Sequence, residues 1–363
     1  MFLYSGMLLW FIIGNMFSES KPDSTETPPV SVVVAIRNGE NTLSELLSDL
    51  ESQDYSGDME FILVDDMSED STGNLIREKA AEDKRFKYES STNGDSSLNY
   101  KKRALDAGIN IARNEWLLFT DVDCKLKSKW VGGMVKYFRD DVDYVIGLSE
   151  IDKGNKWVTK FQSLDFLMLM ISARGSTNIG KAWASSGQNQ SYRKSLYKKV
   201  GGFSQIADKL QGDDSLFLQL CQKYNSIKIV FADNNECRIT GRQEDSWRTL
   251  FKQRVRWSGD AKIMWQFNNV FFIFIIATLL LPLMLIITFF TGIFYDSYYF
   301  IIFIKFIIIH FILEFILYFI GTRQLSKPIQ LFNFCIWFLI HIPYVVMMGI
   351  GSFFSNHLQW RGR

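Results

Sequence analysis

Residues 30–38 read Val-Ser-Val-Val-Val-Ala-Ile-Arg-Asn, a β-branched and apolar run that ends in two polar residues. A continuous apolar run of this length is typical of a strand buried on both faces of a sheet. A helical stretch at 40–52 follows, and then a second strand at 60–64. The alternation continues through predicted helices at 71–82 and 100–112 and predicted strands at 85–88 and 116–120. Strands and helices in this order predict an α/β domain with a mostly parallel sheet.

The C-terminal third of the chain is strongly apolar. Three runs, at about 270–295, 298–321 and 329–354, are each longer than the roughly 20 residues that a membrane-spanning helix needs. We therefore expect a helical transmembrane region over 267–363, preceded by an α/β domain over 30–266.

The N-terminal segment 1–17 is also apolar, but it lacks the basic start and the cleavage site of a signal peptide. We expect a membrane-anchor helix here, and a removed or interfacial segment is the alternative. Residues 18–29 are rich in Pro, Thr, Ser and acidic residues, which predicts a linker. In the second apolar run, His310 and Glu314 lie one helical turn apart. They form either a functional pair inside the membrane or a mutually hydrogen-bonded structural pair.

Composition argues against several classes of function. The net charge of the 363 residues is +1, which gives no reason to expect nucleic acid as a partner. The four cysteines form no CxxC pair and have no metal-ligand spacing with the three histidines. We therefore expect reduced thiols in a cytosol-facing domain, and neither a disulfide framework nor a zinc site.

Polar residues that follow the predicted strands are the candidates for chemistry, because ligands of parallel sheets bind beyond the carboxyl ends of the strands. Asp65 and Asp66 end the second strand, and adjacent carboxylates can accept hydrogen bonds from a base or a ribose. Asp121 and Asp123 follow the fourth strand, where alternate residues project to the same side. Such a pair can hold a hard divalent cation and leave positions open for phosphate oxygens.

Seven segments occur in an order and spacing that resemble family 2 glycosyltransferases with the GT-A fold, over about residues 30–260. They are 32–38, 64–72, 101–108, the segment 120–124 with its DxD triplet, 187–193 with 200–203, the GDD triplet 212–214 and the QxxRW motif 253–257. The resemblance implies a GT-A catalytic domain that transfers a sugar from a nucleotide-sugar donor with inversion at the anomeric carbon.

The resemblance also implies roles for the strand-end residues. Asp65 and Asp66 would bind the nucleoside of the donor, and Lys101 would lie near the donor's nucleotide. Asp121 and Asp123 would hold the nucleotide and an Mg²⁺ or Mn²⁺ ion, with Asp123 as the more direct metal ligand.

Two further motifs receive roles in the same way. Asp214 matches the family's general base, while Asp213 and Asp214 could instead complement a helix N-terminus, a role that suits Asp213 better. Gln253, Arg256 and Trp257 would close over the donor diphosphate and the acceptor. Their basic, aromatic surroundings are also typical of an interfacial helix, and both interpretations can hold together.

A nucleotide-sugar donor is cytosolic, so we expect an inner-membrane protein with a cytoplasmic catalytic domain. Basic residues before the first span and between the second and third fit this orientation, whereas Arg361 and Arg363 do not. We expect transfer to a lipid or a lipid-linked glycan. The alternatives are a processive polysaccharide synthase, which needs more helices for a channel, and a non-catalytic sugar-nucleotide-binding subunit of a membrane complex.

A nucleotidyltransferase is disfavoured because no glycine-rich phosphate loop follows the first strand. The identity of the sugar, nucleotide and acceptor depends on expected loops around 90–99, 150–182 and 232–245. No pattern in these loops indicates a substrate.

Overall fold

The computed structural model describes residues 1–17, 22–152, 154–224 and 226–353. They fall into two compact units. The sheet unit comprises the described residues of 22–152 and 182–242, and the helical unit comprises those of 1–17, 154–181 and 243–353. The predicted 30–266 domain therefore contributes residues to both units. Positions 18–21 of the predicted linker, residue 354 of the third predicted span, and Arg361 and Arg363 lie outside the described residues.

The described residues form nine strands and twelve α-helices. The strands are β1 Val30–Ile36, β2 Met59–Asp65, β3 Phe86–Ser90, β4 Trp116–Phe119, β5 Tyr144–Gly147, β6 Ser149–Ile151, β7 Gln190–Arg193, β8 Ile229–Ala232 and β9 Ile239–Gly241. The helices are α1 Phe2–Met16, α2 Glu40–Glu51, α3 Thr72–Glu82, α4 Lys101–Ile111, α5 Trp130–Val135, α6 Trp157–Asn178, α7 Lys194–Lys199, α8 Ser215–Gln222, α9 Trp247–Ser258, α10 Asn269–Phe294, α11 Ser297–Gln324 and α12 Leu331–Ser352.

A seven-stranded sheet in the order β3-β2-β1-β4-β7-β5-β8 forms the centre of the sheet unit. The first four strands pair in parallel, and β5 pairs in parallel with β8. Only β7 runs antiparallel to its neighbours, β4 and β5. Every residue of β1 is buried, as its continuous apolar sequence predicts. The predicted α/β fold with a mostly parallel sheet is confirmed.

The two faces of β1 are covered by different helices. Val32 and Val34 are alternate residues of β1, so they lie on one face of the sheet. They belong to one buried cluster with Leu43 and Leu46 of α2. On the α4 side, Gly108 lies so close to the sheet that a Cβ there would stand 2.5 Å from Val33 Cγ1 and 2.9 Å from Val64 Cγ2. The absence of a side chain at Gly108 therefore sets the distance between α4 and the sheet.

Gly108→Val is expected to lower the free energy of unfolding by about 1–3 kcal/mol, because the added methyl groups overlap a close-packed strand surface. Denaturant unfolding of the detergent-solubilised protein measures this change. The matched control is Gly132→Ala in α5, where the new Cβ would meet its nearest atom at 3.7 Å. Equal stability of both variants would contradict the tight packing of α4.

The helical unit contains three helices that are long and apolar enough to cross a membrane. These are α10, α11 and α12, with 26, 28 and 22 residues. At 1.5 Å per residue they extend about 33 to 42 Å, which exceeds the roughly 30 Å of a bilayer's hydrocarbon core. The shorter apolar helix α1 has 15 residues, and its role as an anchor stays a prediction.

Helix α1 packs tightly against α6 within the helical unit. A Cβ on Gly14 would stand 1.9 Å from the carbonyl oxygen of Gly175, so the two backbones can approach this closely only because both residues are glycines. Beside them, the buried Asn15 donates a hydrogen bond to Ile171 O at 2.9 Å. Arg174 donates to Asn15 O at 3.2 Å, which places a cation at the C-terminal end of α1.

The interpretation of His310 and Glu314 as a mutually hydrogen-bonded pair is wrong. Glu314 accepts its hydrogen bond from the Tyr4 hydroxyl of α1. Among the described residues, neither ring nitrogen of His310 has a hydrogen-bond partner, and the ring packs against Tyr4 and Phe338. The α1 segment, rather than a residue of the same helix, therefore satisfies the buried carboxyl.

Candidate active site

Two pairs of acidic residues lie at the same edge of the sheet. Asp65 is the last residue of β2, and Asp121 lies two residues after the end of β4. These strands flank β1 and run parallel to it, so their carboxyl ends meet at one edge. This is the edge where ligands of parallel sheets bind.

The turn after β2 holds the first acidic pair. Asp65 Oδ1 accepts a hydrogen bond from the Ser68 amide at 3.0 Å, and Asp66 is only 1% exposed. Arg37, at the end of β1, donates to the carbonyl oxygens of Asp66 and Met67 at 2.9 Å. Met67 has a φ of 54°, a left-handed conformation that residues other than glycine adopt only when their surroundings require it. The turn is therefore tightly specified.

The DxD residues form a turn after β4. Asp121 and Asp123 are partly exposed, whereas Val122 between them is buried. The amide of Cys124 donates to the carbonyl of Asp121 at 3.2 Å, which closes the turn. The two carboxylates thus stand on the accessible side of the turn, and the apolar side chain packs inward.

Lys101 joins the DxD turn to the GDD segment. Its Nζ lies 2.8 Å from Asp121 Oδ1 and 3.0 Å from Asp213 Oδ2. Burial would lower the pKa of Lys101, but the charges of Asp121 and Asp213 outweigh it and raise the pKa. Lys101 therefore stays protonated and neutralises part of a dense cluster of carboxylates.

Asp214 completes this cluster and also caps a helix. Its Oδ1 accepts from the Ser215 amide at 2.5 Å, at the start of α8, and its Oδ2 accepts from the Gly187 amide at 3.1 Å. Burial, and next the negative charge of Asp213, raises the pKa of Asp214 to about 6, although both amides and Lys101 act in the opposite direction. A carboxylate with a raised pKa can accept a proton near neutral pH.

The structure revises the assignment of the helix-cap role within the GDD segment. The cap is Asp214, and Asp213 is instead the ion-pair partner of Lys101. Capping does not remove Asp214 as a candidate base, because its Oδ2 also points to the Lys101–Gly187 cluster. A Cβ on Gly187 would stand 3.1 Å from Asp213 Oδ2, 3.3 Å from Lys101 Nζ and 3.6 Å from Asp214 Oδ2.

Asp213 and Gly187 are the site residues that sequence reasoning missed. The sequence predicts only a helix-cap role for Asp213, and Gly187 lies in a matched segment without a predicted role of its own. The adjacent carboxylates of the GDD triplet were the available signal for Asp213, since two neighbouring acids seldom both cap one helix.

The QxxRW residues Gln253, Arg256 and Trp257 lie on α9 in the helical unit. Five other predicted site residues, Asp65, Asp66, Lys101, Asp121 and Asp123, and the predicted base Asp214 lie in the sheet unit. Among the described residues, no group of three or more His, Cys, Asp and Glu side chains is arranged to hold a metal ion.

This fold is an α/β domain of the GT-A type, with carboxylates at the ends of its parallel strands. Residues 31–201 match the family model described as Glycosyl transferase family 2. Over these residues the chain is similar to family 2 glycosyltransferases, which agrees with the predicted family.

Two relatives illustrate the range of proteins that the chain resembles. Poly-beta-1,6-N-acetyl-D-glucosamine synthase of Staphylococcus epidermidis is 24% identical over 269 residues, which cover 69% of this chain and 62% of the relative. GalNAc(5)-diNAcBac-PP-undecaprenol beta-1,3-glucosyltransferase of Campylobacter jejuni is 29% identical over 129 residues, which cover 35% of this chain and 40% of the relative. The chain spans less than two thirds of the length of either relative.

A solved structure shares the fold. It is the mannosyltransferase PcManGT from Pyrobaculum calidifontis, in complex with GDP-Man and Mn²⁺. The TM-score is 0.60 at 14% sequence identity, and the superposition covers 97% of this chain and 96% of that chain.

Proposed function

We propose that this protein is an inverting glycosyltransferase that moves a sugar from a nucleotide-sugar donor to a lipid or a lipid-linked glycan. The observation that carries the proposal is the cluster at the carboxyl edge of the sheet. There Lys101 bridges Asp121 and Asp213, and Asp214 has a raised pKa of about 6. The similarity to family 2 glycosyltransferases and the relative named for an undecaprenol-linked substrate support it.

The chemistry requires a base and a means to neutralise charge on the leaving group. The acceptor hydroxyl oxygen attacks the anomeric carbon of the donor, and its proton passes to the Asp214 carboxylate. The bond from that carbon to the diphosphate oxygen breaks, and the nucleoside diphosphate leaves with the bonding electrons. Attack from the face opposite the leaving group inverts the anomeric carbon without a covalent enzyme intermediate.

The DxD residues fit a divalent cation. Asp121 and Asp123 offer only oxygen ligands, which suit Mg²⁺ and Mn²⁺, and both are partly exposed. Two carboxylates would leave most coordination positions to phosphate oxygens and water. Such an ion would neutralise charge on the leaving diphosphate.

The remaining assignments concern the donor and the membrane. We assign the nucleoside to Asp65 and Asp66, and the donor diphosphate and acceptor to Gln253, Arg256 and Trp257. The three apolar helices support a multi-pass membrane protein. A cytosolic donor places the sheet unit on the cytoplasmic face of the inner membrane.

A processive polysaccharide synthase is the second candidate, favoured by the relative named as a synthase of poly-beta-1,6-N-acetyl-D-glucosamine. Three spanning candidates among the described residues offer few helices to enclose a polymer. Product length distinguishes the two functions. A single or limited addition supports our first choice, and a ladder of long polymers supports the synthase.

The primary test is binding of a panel of nucleotide sugars to the detergent-solubilised protein, with and without Mn²⁺. We expect Mn²⁺-dependent binding of one donor, and we expect Asp123→Ala to remove the Mn²⁺-dependent part. The matched control is Asp58→Ala, an exposed aspartate that precedes β2 at the opposite edge of the sheet. No binding by the wild-type protein under either condition would overturn the proposal, whereas binding without sugar transfer would favour the non-catalytic sugar-nucleotide-binding subunit.

A further inference from the structure

One face of α6 contacts three residues of the Gln253–Trp257 segment. The first contact is a ring of hydrogen bonds around the side-chain amide of Gln253. Gln253 Nε2 donates to Glu244 Oε1 at 3.1 Å, and the Glu244 amide donates to Gln162 Oε1 at 2.8 Å. Gln162 Nε2 closes the ring with a longer contact of 3.5 Å to Gln253 Oε1. Gln162 is fully buried, so this ring holds the amide of Gln253 from both ends.

The second contact is an ion pair between the next residue of the segment and the next turn of α6. Arg254 Nη2 lies 3.1 Å from Asp165 Oδ2, with 4% and 5% of the two residues exposed. The Tyr344 hydroxyl of α12 lies 3.5 Å from the same carboxylate oxygen. Because two buried charges lose their hydration, a pair of this kind adds little net stability, but its 3.1 Å contact fixes the two side chains relative to each other.

The third contact is aromatic. The Arg254 guanidinium carbon lies 4.2 Å from the ring centroid of Trp257, and the Phe166 ring lies 6.0 Å from that ring. Arg254 therefore links Asp165 to Trp257 through a cation–π contact. The tryptophan ring is oriented by a cation on one side and an aromatic ring on another.

Gln162, Asp165 and Phe166 are spaced i, i+3 and i+4, so they project from one face of α6. We propose that these three α6 residues are positioning residues for the QxxRW segment and fix its donor- and acceptor-facing side chains for transfer. The inference rests on the proposed function. It adds that α6, which lies outside every recognised motif, sets the geometry of α9.

Helix α6 connects the QxxRW segment to other helices of the helical unit. Helix α6 also packs against α1, α11 and α12. The orientation of the QxxRW segment thus depends on α11 and α12, which are long and apolar enough to span a membrane, and on the shorter apolar helix α1. A substitution of Gln162, Asp165 or Phe166 should therefore reduce turnover, although none of the three is assigned a contact with the donor.

The test compares Asp165→Asn, Gln162→Ala and Phe166→Leu with Leu169→Ala, which replaces an exposed residue of the same helix. Binding is measured with UDP–Mn²⁺ and GDP–Mn²⁺, turnover with the donor that the wild-type protein binds, and folding by thermal unfolding. We expect the three variants to lower kcat by up to about 10²-fold, the scale of a misplacement near 1 Å. We expect the nucleotide affinity to fall by less than kcat. The unfolding midpoint should fall most for Asp165→Asn, which leaves Arg254 buried without its ion-pair partner, so turnover is measured well below the lowest midpoint.

A double-mutant cycle separates positioning from stability. Phe166→Leu and Trp257→Phe should each lower kcat, and together they should lower it by less than the product of the two factors, because both disturb one contact. Asp165→Glu, which keeps the charge, should recover part of the loss of Asp165→Asn. Turnover equal to that of Leu169→Ala, or fully multiplicative losses, would overturn the proposal.

Failure of the proposed function would be recognised separately. In that case the wild-type protein would neither bind a nucleotide sugar nor transfer its sugar, which would overturn both proposals. Turnover by the wild-type protein with unaffected α6 variants would overturn only the role of α6. A variant with a lowered unfolding midpoint and a proportional loss of nucleotide binding would show a structural role and count against positioning.

Discussion

Asp214→Asn is expected to lower the rate of sugar transfer by about 10²–10⁴-fold, the usual contribution of a general base. Asparagine can keep the hydrogen bond from the Ser215 amide through its single acceptor oxygen, but its NH₂ group cannot accept from Gly187, and the side chain cannot take up the acceptor's proton. Asparagine is also a good helix N-cap, so α8 should keep its first turn. The loss should therefore appear in kcat, while donor affinity stays nearly unchanged.

Steady-state kinetics combined with donor titration measures both quantities. The matched control is Asp208→Asn, which changes an exposed aspartate whose side chain is 72% exposed. Unfolding is measured alongside, because the substitution removes a like charge beside Asp213 but leaves the Gly187 amide without its acceptor. Substantial turnover by Asp214→Asn would place the base elsewhere.

The pH dependence of the wild-type protein provides an independent check of the same assignment. A base works only in its ionised form, and the pKa of Asp214 is raised to about 6. The rate of transfer should therefore rise as the pH increases through about 6 and level off above it. A carboxylate at its ordinary pKa would give a rate that is already constant at pH 5.

The first half of the sheet unit was predictable because its signals are local. The β-branched run of β1, the apolar spacing of α2 and the alternation up to β4 each come from neighbouring residues. The expected loop over 150–182 was wrong, because 157–178 forms α6. That helix is buried on most of its circumference, so its sequence has no distinct apolar stripe and resembles neither a surface helix nor a loop.

The carboxylates at the strand ends could be predicted from the sequence, but the residues that form ion pairs and hydrogen bonds with them could not. In the sequence, Asp213 and Asp214 are both candidates for the helix cap. In the structure Lys101 pairs with Asp213, and Asp214 caps α8. Lys101 starts α4, far from the GDD segment along the chain, and only the folded sheet unit brings its ammonium group 3.0 Å from Asp213. The role of α6 was hidden for the same reason, since Gln162, Asp165 and Phe166 form no motif by themselves.

Lys101→Met is expected to lower the free energy of unfolding by about 3–5 kcal/mol, the usual effect of removing one partner of a buried ion pair. Lys101 is largely buried, with 17% of its side chain exposed, and it contacts Asp121 and Asp213 at 2.8 and 3.0 Å. Methionine keeps the apolar length of the side chain but removes the charge. Asp121, Asp213 and Asp214 then lose the cation that offsets their mutual repulsion.

Denaturant unfolding gives the size of this effect, and Lys125→Met is the matched control. Lys125 pairs with Asp152 at 3.5 Å, but its side chain is 63% exposed, so its loss should cost about 0–1 kcal/mol. Lys101→Arg keeps the charge and should recover most of the stability. Equal effects of Lys101→Met and Lys125→Met would show that the bridge does not hold the site together.

The same variant has a second expected effect, on the pH dependence of transfer. The positive charge of Lys101 lowers the pKa of Asp214, against burial and Asp213. Without Lys101 that pKa should therefore lie above 6, and the rise in the rate should move to higher pH by the same amount. A destabilised variant with an unchanged pH profile would mean that Lys101 supports only the fold. A shifted profile would mean that the residue holding the strand ends together also sets the proton affinity of the base.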